Sequence, residues 1–289
     1  MILNLRHNTS LYARRYLHLY IKPCGWLVFH PKSLIKGFRI LSRSLKHKRY
    51  INTLPRSGTH YLIGTLTSAI DIKNGGSGEF RFVNDTWVHN IDLLWPSVLH
   101  SIIVHLKNNQ EVHKDFFMFG HHPISKTNIH KISSMKPVFT VRNIFDQLES
   151  WFLHEFTDYS AQDEFIRRGH VEKTIGYFNY WGDFISDAKK KPNKDYVCIR
   201  YEDLIANPLF EMSRILQLWN LEIDKPVLEK AIQLNSREKM KSKIPDGMLS
   251  DNKRLSIRDN RGKLFSEDNV SYINLAISNN LKHDFGYKY

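Results

Sequence analysis

The sequence predicts an α/β fold, with a central, largely parallel sheet flanked by helices. Short apolar runs at residues 50–54, 116–119, 138–141 and 196–199 read as buried strands. Between them lie segments with apolar residues at helical spacing, such as Leu62, Leu66, Ala69 and Ile70. Strands that alternate with helices favour βαβ units, whose strands run parallel. Such a sheet binds ligands at the carboxyl ends of its strands.

The elements follow in order. Residues 1–48 form a basic lead-in, read as a peripheral arm, and residues 49–289 form the folded domain. Residues 50–54 are the first strand, and Pro55-Arg56-Ser57-Gly58 turns the chain into a helix. Asn74-Gly75-Gly76-Ser77-Gly78 is a loop. A helical pattern resumes over residues 87–106, divided at Pro96. After the strand at 138–141, Asn143 is placed to cap a helix, with Asp146 in a capping-box position. Leu148, Trp151 and Phe152 would form the buried stripe of that helix. Asn207-Pro208 is a helix start, an N-cap followed by proline at the first helical position.

Composition narrows the class. Of 289 residues, 42% are hydrophobic and 12% aromatic, enough for a core and too apolar for a disordered chain. Two cysteines, Cys24 and Cys198, cannot build a disulfide framework and have no metal-ligand spacing, which fits a reducing compartment. No run approaches the roughly 18–20 apolar residues of a spanning helix. A cytoplasmic protein is therefore expected, with peripheral membrane contact through the lead-in as the open alternative to a free one.

The net charge of +13 implies an anionic partner: nucleic acid, acidic membrane, polyanionic glycan or phosphorylated cofactor. No Asp or Glu precedes Asp71, whereas Arg14, Arg15, Lys22, Lys32, Lys36 and others do. That arm reads equally as a docking surface for an anionic membrane or glycan and as a solvated basic face.

The segment Pro55-Arg56-Ser57-Gly58-Thr59, between a strand and a helix, has the form of a phosphate loop. Gly58 lets backbone approach an anion closely, and the free N–H groups opening the helix attract it. Ser57 and Thr59 add hydroxyls and Arg56 a cation. The GxxxxGK[ST] pattern is missing, which disfavours an ordinary Walker-type kinase. With His60 and Tyr61 included, this segment resembles the 5′-phosphosulfate loop of the sulfotransferase family. Members of that family use 3′-phosphoadenosine 5′-phosphosulfate (PAPS). The resemblance implies that Arg56 meets the phosphosulfate and that Tyr61 replaces an adenine-contacting Trp. His60 departs from the family's usual Thr.

Further segments agree over residues 50–286. Arg142 at a strand end, with Ser150 eight residues on, is similar to the family's pair that holds the 3′-phosphate; a guanidinium there offers paired donors to a dianion. Tyr201-Glu202-Asp203-Leu204, followed by Asn207-Pro208, resembles a stretch whose Tyr lies near adenine. Ser236 and Met240 match a Ser-Phe-x-x-Met segment, with Arg237 in place of the Phe. Arg258, Arg261 and Gly262 resemble the Arg-Lys-Gly phosphate clamp. Gly120-His121-His122-Pro123 resembles a segment whose His is the catalytic base, making His121 the match and His122 the fallback.

The resemblance thus implies a P-loop-type three-layer sandwich that moves a sulfuryl group from PAPS to an acceptor hydroxyl. Arg56 would stabilise charge on the leaving oxygen, and the product would be 3′,5′-adenosine bisphosphate. No metal is needed where Arg or Lys covers the phosphate, and adjacent histidines make a poor metal site. The basic surface favours a carbohydrate or glycolipid acceptor over a small alcohol or phenol. No nucleic-acid partner is expected. The competing readings are an atypical P-loop kinase, and a basic nucleic-acid- or membrane-binding module with a structural turn at residues 55–58.

Overall fold

The structure is a computed structural model that describes residues 49–79, 88–90, 117–120, 135–156, 158–190, 195–236, 238–239 and 264–289. The lead-in 1–48, including Cys24, lies outside them. Among the described residues, five strands form one sheet: β1 Arg49–Thr53, β2 Val88–Asn90, β3 Phe117–Gly120, β4 Lys136–Val141 and β5 Val197–Arg200. Their order is β2-β3-β1-β4-β5, and every neighbouring pair is parallel.

Alternation along the strands sends side chains to two faces, and each face has its own core. Ile51 and Val138 join one cluster, whereas Tyr50, Phe139 and Val141 join the other. Helix α1, Thr59–Lys73, covers the first face with Leu62, Leu66, Ala69 and Ile70, the apolar positions expected from the sequence. Helices α2, Ile144–Glu155, and α4, His170–Lys189, cover the second. The result is three layers, helix on sheet on helix.

The remaining helices complete those layers. They are α3 Gln162–Arg167, α5 Tyr201–Ala206, α6 Pro208–Leu218, α7 Lys225–Leu234 and α8 Glu267–Asn280. Asn207 caps α6 by accepting from Phe210 N at 3.4 Å, with Pro208 following it. Asn143 caps α2 by accepting from Phe145 N at 3.0 Å, and Leu148, Trp151 and Phe152 are its buried stripe. The Asn143 N–H, which a capping box would send to Asp146, donates instead to Glu202 Oε1 at 3.3 Å.

One sequence expectation is corrected. Within the helical pattern expected at 87–106, Val88–Asn90 is a strand, paired in register with Phe117–Phe119 of β3. Pairing with a neighbouring strand overrides local periodicity at a sheet edge. Residues 91–106 lie outside the described segments.

The connections decide where a ligand can sit. After β1 the chain turns into α1 on one face, and after the adjacent β4 it turns into α2 on the other. Helices leaving neighbouring strands toward opposite faces open a crevice at the strand ends, the switch point of a doubly wound sheet. The two loops there are residues 54–58 and residues 142–143, the segments singled out in the sequence.

One titrating group is structural. His170 stacks on Phe165 at 4.3 Å between ring centroids and lies 4.4 Å from the Trp151 ring. Its Nε2 is 3.2 Å from Glu155 Oε2. Burial under these rings lowers its pKa despite Glu155, and Lys173 and Arg168 act in the same sense as burial. The folded value then lies below the unfolded value of about 6.5. The contribution to stability is complete above that pH and is lost as pH falls through it. A series of melting temperatures from pH 7.5 to 5 should fall less steeply for His170→Gln than for the wild type. Parallel curves would show that folding leaves the His170 pKa unchanged.

Candidate nucleotide-binding site at the strand ends

The loop after β1 is held by carbonyls turned inward. Ser57 is fully buried; its N–H donates to Leu54 O at 3.2 Å, and its hydroxyl donates to the same oxygen at 2.7 Å. That hydroxyl also lies 2.7 Å from Thr140 Oγ1, which pins the loop to β4. Pro55 O accepts from Gln147 Nε2 at 3.0 Å, and Gln147 Oε1 accepts from Thr174 at 2.9 Å. Arg56 O accepts from Arg142 Nη1 at 3.1 Å. The N-cap residue of α1 is Gly58, which has no side chain to offer the opening N–H groups of the helix. Uncapped N–H groups at a positive helix end attract an anion.

Two residues of the loop have left-handed backbones, Arg56 at φ 71° and Gly58 at φ 88°. At Gly58 the need for glycine is steric as well. A Cβ there would fall 2.6 Å from Cδ2 of Tyr201, so the ring lies directly on bare backbone. A left-handed backbone at Arg56 carries a strain of the kind that collects at functional sites.

Arg56, Arg142, Ser150 and Tyr201 come together here. Arg56 Nε donates to Ser150 Oγ at 3.2 Å, although 94 positions separate them in the chain. The Arg142 guanidinium lies over the Tyr201 ring at 4.7 Å. Its Nε is buried with no hydrogen-bond partner. Buried donors are nearly always paired, so this guanidinium has a donor available to an acceptor that the protein does not supply.

Tyr61, half-buried on the first turn of α1, has its phenol pushed up to about 12 by burial, with Tyr201 adding to the shift. His60, beside it, is exposed. The Thr59 hydroxyl lies 2.7 Å from Thr53 Oγ1, so it and the Ser57 hydroxyl are engaged inside the fold rather than free in the crevice. Ser236 follows α7, and its hydroxyl accepts from Lys239 N at 3.4 Å. Among the described residues, no hydrogen bond joins Ser236 to the loop. His121, His122, Arg237, Arg258, Arg261 and Gly262 lie outside the described residues.

Sequence reasoning missed three supports of the site. Gln147 lies between the singled-out Arg142 and Ser150, and only tertiary packing shows that its amide holds the loop. Glu202 and Tyr287 hold the start of α2, and Tyr287, 85 positions away, carries no local signal. Cys198 is a free thiol raised to about 12, first by burial, and takes no part in the crevice.

A cavity of about 280 Å³ between α4 and residues 282–285 shares no lining residue with the loop. Among the described residues, no helix is long and apolar enough to cross a membrane. Nor do three or more His, Cys, Asp or Glu among them group to hold a metal ion.

Residues 47–283 match the sulfotransferase domain family. Sulfotransferase 1C2 of Homo sapiens is 25% identical over 113 residues, so the match spans 38% of this chain and 38% of that relative's length. The crystal structure of mouse sulfotransferase SULT7A1 complexed with PAP superimposes with a TM-score of 0.53 at 14% identity. That alignment covers 82% of this chain and 86% of the mouse chain. At that identity the likeness is one of fold, and it agrees with the P-loop-type α/β sandwich. Since the family match extends over most of the sequence, from just before β1 to beyond α8, the chain belongs to the sulfotransferase domain family.

Proposed function

We propose that the protein is a PAPS-dependent sulfotransferase, transferring a sulfuryl group to an acceptor hydroxyl by in-line displacement. The observation that carries this reading is the orphaned Nε of Arg142, at a crevice that Arg56 and the uncapped start of α1 share. Two positively polarised sites side by side suit a nucleotide with phosphate groups at both ends of its ribose. Family membership, and the PAP bound to the mouse protein of like fold, support the same donor.

PAPS supplies the activated sulfuryl group. The loop at residues 56–59 would hold its 5′ end, and Arg142 with Ser150 its 3′-phosphate. Tyr61 and Tyr201 would flank the adenine, and Arg258, Arg261, Gly262 and Ser236 would complete the donor site. His121 takes the acceptor proton as the new O–S bond forms, and Arg56 stabilises the charge on the departing 5′-phosphate oxygen. The acceptor in this reading is a carbohydrate or glycolipid hydroxyl, supported by the +13 charge. A cytoplasmic location, with peripheral membrane contact through residues 1–48, belongs to the same reading and draws on their lack of any acidic residue.

Calorimetric titration in EDTA tests the donor site. 3′,5′-Adenosine bisphosphate should bind at least tenfold more tightly than AMP or ATP. Equal binding of all three would overturn the reading. Sulfate transfer from PAPS should then favour polysaccharide or glycolipid acceptors over simple phenols; the opposite ranking would reassign the acceptor.

A further inference from the structure

The two N–H groups that open α2 are not left to solvent. Asn143 N donates to Glu202 Oε1 at 3.3 Å, and Ile144 N donates to the Tyr289 hydroxyl at 3.3 Å. The other carboxylate oxygen of Glu202 accepts from the Tyr287 hydroxyl at 2.5 Å. Tyr287 is buried, with Phe178 at 6.4 Å and Arg200 stacked on its ring at 4.5 Å. Burial, then the bond to Glu202, raises its pKa and keeps the phenol protonated as a donor. Residues 285 and 286 both have left-handed backbones, φ 54° and 80°, which turn the chain so that Tyr287 reaches the sheet end.

Glu202 follows Tyr201, the residue that lies on Gly58 and beneath Arg142. One carboxylate therefore ties three things together: the start of α5, the turn after Arg142, and residues 284–289. We infer that Glu202, locked by Tyr287, is a positioning residue for the 3′-phosphate side of the donor site, an inference that rests on the function proposed above. It sets where the Arg142–Asn143 turn stands, and so where the orphaned guanidinium points. Both oxygens of Glu202 accept hydrogen bonds, which fixes its position between the turn and Tyr287.

The charged residues near this clamp include Arg200 and Asp203 on the stretch of Glu202 itself, and Asp284 on the C-terminal segment. Arg200 pairs with Asp203 at 3.8 Å and stacks on Tyr287, so it braces the tyrosine rather than neutralising Glu202 directly.

The test compares affinities for 3′,5′-adenosine bisphosphate and AMP in the full chain. Tyr287→Phe keeps the ring over Arg200 and removes only the hydroxyl. It should lower the preference for the 3′-phosphorylated nucleotide about tenfold, with AMP affinity little changed, because small misplacements of a binding group carry large losses. Tyr272→Phe is the matched control, since Tyr272 donates to Glu172 on the α4–α8 surface. It should leave the preference intact. Equal loss of both nucleotides in Tyr287→Phe, or an unchanged preference in a folded variant, would overturn the positioning role. A wild type with no preference would instead remove the function reading on which it rests. Should Tyr287→Phe fail to fold, amide exchange in the wild type decides. The Asn143 and Ile144 amides should exchange at least tenfold more slowly than unprotected ones, and unprotected exchange there would overturn the clamp.

Discussion

Replacing Arg142 with alanine is expected to weaken binding of 3′,5′-adenosine bisphosphate by about a hundredfold or more. A charge-assisted hydrogen bond contributes about 1.5–3 kcal/mol, and a guanidinium can make two of them to one phosphate. Together these correspond to roughly 3–6 kcal/mol, and each 1.4 kcal/mol is a factor of ten. AMP, which lacks the 3′-phosphate, should lose far less. The structure explains why Arg142 is the residue to remove. Its Nη1 holds the Arg56 carbonyl, its face rests on Tyr201, and its Nε is a buried donor with nothing to bond. Calorimetry with both nucleotides in EDTA measures the difference. A comparable loss for AMP would mean that Arg142 only supports the loop at Arg56. Arg142→Lys tests geometry against charge, since a lysine keeps the charge without the paired donors.

The second large effect is expected at His121. Alanine there should lower turnover by about 10²–10⁴-fold, the usual worth of a positioned general base, while nucleotide affinity stays near that of the wild type. His121 follows directly on Gly120, the last residue of β3, and Gly120 pairs with Asn52 of β1. β3 thus ends beside β1, at the same end of the sheet as the loop at residues 54–58. Rates at saturating PAPS, with the bisphosphate titrated in parallel, separate chemistry from binding. Full turnover in His121→Ala, with loss in His122→Ala, would move the role to His122. Full turnover in both would remove this segment from the chemistry.

How much of this was legible beforehand depended on how local the cause was. The αL glycine, the uncapped helix start and the strand-end arginine are set by residues a few positions apart, so 55–59 and 142–150 stood out as motifs. The caps at Asn143 and Asn207 were readable for the same reason. The edge strand Val88–Asn90 was not. Its residues sit in a helical pattern, and only hydrogen bonding to β3 makes them extended. Ser57 and Thr59 illustrate another limit. Their residue type suits a phosphate loop, yet the hydroxyls bond to Leu54, Thr140 and Thr53. Which way a hydroxyl turns depends on neighbours that sequence spacing does not reveal.

The alternation of strands and helices and the segments at 55–59 and 142–150 could be read from the chain alone. These follow from backbone conformation and hydrophobic period, which are local properties of the chain. That Arg56 reaches Ser150, that Gln147 bonds the loop, and that Glu202 and Tyr287 brace the turn at Arg142 follows only from how distant segments pack. These contacts join positions 59–94 residues apart in the chain. They exist because β1, β4 and β5 lie side by side and bring their carboxyl ends together.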